Sequence, residues 1–301
     1  MMELEKVPAV YLNESTAIDT LTKALKEGYL TVFIGAGVSK SATRAFPDWV
    51  SLVRQCCEAK EVPFDEEKIE SNEYLRHTIE NVERKCSQSD FLELVEQLMY
   101  EGVEYDIQLM KTDLLVSLGS LVMNSLRGGA RAVVNYNFDD LLEWYLAYHG
   151  FCIDIVSKYP TLLRNSDVSV YHPHGFLPRL DVHRYLRTQD IIFSEQKYQR
   201  AMTSEVSPWN EVQRALLGCT LGLFVGLSGE DPHIAALCDK VYNEIIGKER
   251  IIGFQVLKDE TKSREKEGYN LSRGIVNVYI SDYDKLPDFL LSICRRAAGL
   301  S

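Results

Sequence analysis

The sequence has no C-x-x-C pair. Its seven cysteines, Cys56, Cys57, Cys86, Cys152, Cys219, Cys238 and Cys294, are odd in number. That argues against a four-cysteine zinc site and points to a reduced, cytoplasmic protein. No apolar run approaches the roughly 20 residues that span a bilayer. The opening residues, MMELEKVPAV, lack a basic stretch followed by an apolar one, which predicts no signal peptide. Positive charge is scarce: 33 Lys and Arg face 44 Asp and Glu, a net charge of −11. A general nucleic-acid surface is not expected from that balance. Repeats and low-complexity tracts are missing too. What remains is an ordinary globular composition, 46% hydrophobic and 26% charged over 301 residues, enough for one large or two medium domains.

Against that background one stretch stands out, LTVFIGAGVSK at 30–40. The apolar run from Tyr29 to Ile34 predicts a strand buried on both faces. It stops at Gly35-Ala36-Gly37-Val38-Ser39. Glycines there let the backbone turn sharply and approach a ligand closely. The C-terminal edge of an open α/β sheet is where ligands sit, and backbone N–H groups can hold a phosphate there. Two common nucleotide signatures are nevertheless incomplete. The third glycine of the dinucleotide fingerprint is replaced by Lys40, and no GK[ST] follows to make a Walker A loop.

Helical spacing marks residues 15–27, with Ser15 or Thr16 as N-cap and Gly28 as the stop. A second helix opens at Pro47-Asp48-Trp49, with Asp48 as its cap. Residues 63–127 carry aliphatic stripes at helical spacing and no strand-like run. We read them as an all-helical insertion, closed by Gly128-Gly129, within a domain made of residues 1–62 and 128–301. Further strands are expected at 130–134, 152–156, 168–172, 220–226, 250–257 and 276–280. Helices are expected at 141–148, about 194–202, 209–217, 232–246 and 286–298. Residues 258–270 read as a charged surface loop. Strands alternating with helices predict a Rossmann-like, doubly wound parallel α/β sheet.

Several strands end in polar segments: Gly35–Ser39, Asn135–Asp140, His172–Gly175 and Gly226–Asp231. Taken in order, GAGVS, NYNFDDLLE, HPHG and VGLSGEDP resemble the sirtuin family, whose pattern is GAG-x-S, T-x-N-[YI]-D, HG and G-x-S. The chain is most similar to the bacterial sirtuin-like NAD+ hydrolases of anti-phage defence. Gly35, Ala36, Gly37 and Ser39 match the first element, Asn137 and Asp139 the second, His174 and Gly175 the third, Gly226 and Ser228 the fourth. Asp231-Pro232 resembles the D-P that often follows in the bacterial branch. Three features depart from the deacylases. Asn135 stands where a threonine is usual, Pro47-Asp48-Trp49-Val50 lacks the arginine of P-D-F-R, and the two C-x-x-C pairs of the zinc module are absent.

The resemblance implies cleavage of the nicotinamide–ribose bond of NAD+, giving nicotinamide and ADP-ribose or its cyclic form, with no zinc. Asn137 then orients the ribose or a water, since an amide both donates and accepts. His174 serves as the base near neutral pH. The Gly35–Gly37 amides hold the pyrophosphate, Asp139 or Asp48 the nicotinamide carboxamide, and Ser228 lies near the adenosine half. His172 is the competing histidine, expected to be dispensable, and His233 is expected at the surface or a helix start. The resemblance also implies an NAD-depleting role in abortive infection. A homo-oligomer or a complex with a sensor is expected: an ATPase, an Argonaute-like protein or a nucleotide-recognising partner. A protein deacylase and a catalytically silent NAD+ or ADP-ribose sensor are the competing readings. A dehydrogenase lacks the third glycine and a clear ribose-binding acid.

Overall fold

The computed structural model describes residues 14–123, 129–159, 165–203, 207–229, 231–265 and 267–300. The N-terminal decapeptide, Gly128 and Glu230 lie outside the described residues. In chain order the first half runs α1 (Glu14–Glu27), β1 (Leu30–Ile34), α2 (Ala36–Ala42), α3 (Trp49–Ala59), α4 (Asn72–Glu83), α5 (Gln88–Tyr100), α6 (Ile107–Met110), α7 (Asp113–Met123), β2 (Ala132–Asn135) and α8 (Leu141–Tyr148). The rest runs β3 (Ile153–Val156), β4 (Val168–Tyr171), α9 (Glu195–Thr203), α10 (Pro208–Cys219), β5 (Leu221–Val225), α11 (Pro232–Lys240), β6 (Gly253–Lys258), α12 (Thr261–Glu265), α13 (Glu267–Leu271), β7 (Ile275–Ile280) and α14 (Leu286–Ala297).

The seven strands form one sheet in the order β3-β4-β2-β1-β5-β6-β7, and every pairing is parallel. This is the expected Rossmann-like α/β fold. β1 is wholly buried because it lies between β2 and β5 with helices on both faces. Its alternate side chains divide between two apolar layers, as the period of two requires. Val32 and Ile34 join the layer containing α1, α7 and α14, whereas Phe33 stacks on Phe224, centroids 4.5 Å apart, beside α11.

Register, more than any single residue, builds the site. Ile34 pairs with Asn135 of β2 and Val225 of β5. The segments that follow these three strands therefore leave the sheet side by side. The chain winds from β1 to one side and returns across it to β5, so this edge is also the topological switch point where such sheets bind ligands.

Two sequence expectations change. α1 begins at Glu14, so Ser15 and Thr16 lie in its first turn and do not cap it. Residues 258–270 are not a loop: α12 and α13 occupy them, and Ser263 and Asn270 are buried there. Five-residue helices are too short for a 3.6-residue period to show among surrounding charges. The helices between β1 and β2 also serve two places. α4 and α5 pack with α3, whereas α7 packs against α14, α2 and α8 in the layer flanking the sheet.

Candidate functional site

A cavity of about 430 Å³ opens at the C-terminal edge of β1, β2 and β5. Cofactor pockets span roughly 300–1,000 Å³. Every residue given a catalytic or NAD+-binding role from the sequence lines it: Gly35, Ala36, Gly37, Ser39, Asp48, Asn137, Asp139, His174, Gly226, Ser228 and Asp231. Asn72, Arg76 and Met99, from α4 and α5, also line it.

The floor is a splice of two glycine turns. Gly35 N–H donates to Val225 O and Gly37 N–H to Gly226 O, both at 3.0 Å. A Cβ on Gly35 would stand 2.5 Å from Gly226 O, and one on Gly37 2.9 Å from Gly226 Cα. Gly226 itself has φ +66, a left-handed conformation that favours glycine. The glycines are thus required first by each other. This corrects the expectation of three amides facing a pyrophosphate, because Val225 and Gly226 already use two of them. Ala36, exposed at the start of α2, is the one whose N–H has no acceptor among the described residues.

Above the floor lies a relay of buried polar groups. Asn137 Nδ2 donates to Gly35 O at 3.2 Å and Ser39 Oγ at 3.1 Å. Ser39 Oγ donates in turn to Asp139 Oδ2 at 2.7 Å, and Asp139 Oδ1 accepts from Leu141 N at 3.1 Å. Burial pushes the Asp139 carboxyl up to about 6 despite those two hydrogen bonds. Both of its oxygens are engaged within the protein. Its observed task is to hold Ser39, and through Ser39 the Asn137 amide, in addition to lining the cavity.

His174 stands apart from this relay. Its ring packs 4.9 Å from Tyr136 and 6.3 Å from both Tyr198 and His233. Nε2 is shut off from solvent and has no hydrogen-bond partner among the described residues. Burial pushes its imidazolium down to about 4, so the ring is neutral at pH 7 and can accept a proton. An unpartnered ring nitrogen in a cavity wall is costly in the protein alone and fits a site that a ligand or water completes.

Asp48 and Asp231 reach the cavity as helix caps. Asp48 accepts from Ser51 N at 2.8 Å at the start of α3 and pairs with Lys40. Burial raises its carboxyl, but the bonds from Lys40 and Ser51 outweigh that and leave it below the usual range. Asp231 Oδ1 accepts from His233 N at 2.9 Å and Ile234 N at 3.1 Å, and from the Tyr198 hydroxyl. His233 does start α11, but it is buried, with Nε2 2.7 Å from Asn210 Oδ1. The surface placement expected of it does not hold.

Several cavity residues had no signal in the sequence. Tyr198 closes one wall under the guanidinium of Arg76, 4.4 Å from its ring centroid, and Arg76 pairs with Glu195 at 2.5 Å. Gln255, Asn270 and Arg273 line another wall. None lies in a strand-end motif, and the partners of Tyr198 and Arg76 are far away in sequence. Among the described residues, no three His, Cys, Asp or Glu side chains converge as a metal site. No helix among them is long and apolar enough to cross a membrane.

Residues 131–275 match the SIR2-like domain. The SIR2-like stretch runs from the residue before β2 to the first residue of β7, and it carries Asn137, Asp139, His174, Gly226, Ser228 and Asp231. Gly35, Ala36, Gly37, Ser39 and Asp48 precede it in sequence and meet it in the cavity. SIR2-like proteins use NAD+, so the match supports a sirtuin-like, NAD-related site. A comparison with curated proteins found no match.

Proposed function

We propose that the protein is an NAD+ glycohydrolase that releases nicotinamide and ADP-ribose. The observation that carries this reading is the unpartnered His174 Nε2, set in one cavity with the Asn137 amide above the glycine splice. Cleavage of the nicotinamide–ribose bond develops positive charge on the sugar, as other glycosidic cleavages do. Nicotinamide leaves neutral, so no general acid is required. The protein's part is to orient the ribose and to deprotonate the incoming water. Asn137 is held by Ser39 through its Nδ2 group, which leaves its Oδ1 to a ribose hydroxyl or the water. His174, neutral at pH 7, takes the water's proton at Nε2. Ala36 N–H meets the pyrophosphate, and Ser228 lies on the side of the adenosine half.

In the cell we assign this activity to NAD+ depletion in bacterial anti-phage defence. Assembly with further copies or with a sensor protein would hold it in check. The test is nicotinamide release from NAD+ by the wild-type protein, alone and with candidate partners, and by His174→Ala. Release that depends on His174 and needs no second substrate supports the reading. Release only with an acetyl-lysine peptide would make the protein a deacylase, and binding without turnover would make it a sensor.

A further inference from the structure

Arg273, which follows α13, lines the cavity together with Gln255 and Asn270, and part of its guanidinium group has no acceptor among the described residues. Its guanidinium lies over the Tyr269 ring, 3.2 Å from the centroid. Nε and Nη1 are shut off from solvent and have no hydrogen-bond partner among the described residues. Withdrawing a guanidinium from water is unfavourable unless an acceptor reaches it.

The neighbouring amides do not supply that acceptor. Gln255 Nε2 donates to Leu227 O at 3.1 Å, and its Oε1 accepts from Asn270 Nδ2 at 2.9 Å. Asn270 Nδ2 donates also to Asn277 Oδ1 at 2.7 Å. These amides hold one another. Asp231 lines the same cavity, but Oδ1 of its carboxylate serves the α11 N-terminus and Tyr198. A ligand entering the cavity can bring the acceptor that Nε and Nη1 lack among the described residues.

We propose that Arg273 forms an anion-accepting subsite for the adenosine half of the ligand, selecting a dinucleotide with a phosphate on its adenosine ribose. Placing that half here rests on the NAD+ reading above: Gln255, which lines the cavity with Arg273, donates to Leu227 O beside Ser228, and a Cβ on Gly229 would stand 2.9 Å from Gln255 Nε2. A planar guanidinium fork matches phosphate oxygens in a bidentate way that an ammonium does not.

The experiment is calorimetric binding of NAD+ and NADP+ to the wild-type protein, Arg273→Gln and Arg273→Lys, with thermal melts as the folding control. NADP+ should bind the wild type about tenfold more tightly than NAD+, the scale of one charge-assisted hydrogen bond. Arg273→Gln should bind the two dinucleotides alike, and Arg273→Lys should keep part of the preference. Equal affinities in the wild type, or a preference for NAD+, overturn the proposal without needing any variant to fold. So does a preference for NADP+ that survives in Arg273→Gln. If neither dinucleotide binds the wild type, the NAD+ reading itself falls and this subsite with it.

Discussion

His172 Nδ1 donates to the carbonyl oxygen of Asn137 across 3.1 Å. Its other nitrogen lies 2.8 Å from Glu143 Oε1, and both side chains are fully buried. Glu143 Oε2 has no partner among the described residues. His172 is thus a brace behind the turn that carries Asn137, which argues against the expectation that it is dispensable. His172→Ala should lower stability by about 3–5 kcal/mol, because it strands a buried carboxyl group. It should also depress nicotinamide release. His172→Asn, which keeps a donor for the Asn137 carbonyl, should recover part of the activity. Wild-type melting and turnover in His172→Ala would refute the brace.

Asn137→Ala and His174→Ala should each reduce nicotinamide release by about 10²–10⁴-fold, the range for a lost base or a misplaced reacting carbon. Neither should unfold the protein. His174 Nε2 makes no hydrogen bond to lose, and Asn137 Nδ2 makes two, each worth about 1 kcal/mol. Activity within threefold of wild type in His174→Ala would reject the proposed base.

Asp139 and His174 should oppose each other as pH changes. Asp139 is raised to about 6, so its contribution to stability is present below its unfolded value, near 4, and is lost as pH rises through 6. His174 is lowered to about 4, so its contribution is present above its unfolded value, near 6.5, and is lost as pH falls through 4. Between pH 4 and 6 the two largely cancel. His174→Ala should therefore lose stability relative to wild type as pH rises through this window, by roughly 3 kcal/mol, and Asp139→Asn should gain. Urea unfolding at pH 4, 5, 6 and 7 reads this directly. Parallel pH profiles for the three proteins would contradict the assignment.

Gly226→Ala should disrupt the cavity floor. Its φ of +66 disfavours a side chain, and the added Cβ would lie 2.7 Å from Val38 N and 2.9 Å from Gly35 O. Those are backbone atoms that cannot swing aside. A loss of about 1–3 kcal/mol is expected for the strained conformation, together with weakened NAD+ binding. Unchanged melting temperature and affinity would show that the splice is not required.

The sheet could be read from the sequence because each core strand is a compact apolar run that ends in polar residues. Those polar ends also located the cavity, since register alone brings strand ends together. Their roles were harder to read. Asp139 has the position of a ligand contact, yet it is tied to Ser39, 100 residues away. Arg76 leaves no local pattern either, because its carboxylate partner Glu195 lies 119 residues downstream. The buried Asn270 was hidden in a charged run whose helices are too short to show a period. What sequence patterns miss here is side-chain pairing between distant segments.

The splice beneath the cavity also orders events in time. The hydroxyls of Thr31 and Thr220, at the base of β1 and β5, meet at 2.8 Å although 189 residues separate them. Contacts of such span form late and slowly, after the intervening loop entropy has been overcome. As the chain is synthesised, Gly35 and Gly37 emerge long before Val225 and Gly226, the acceptors that fix their turn. A fragment that stops short of β5 has no cavity floor, however well its helices have formed.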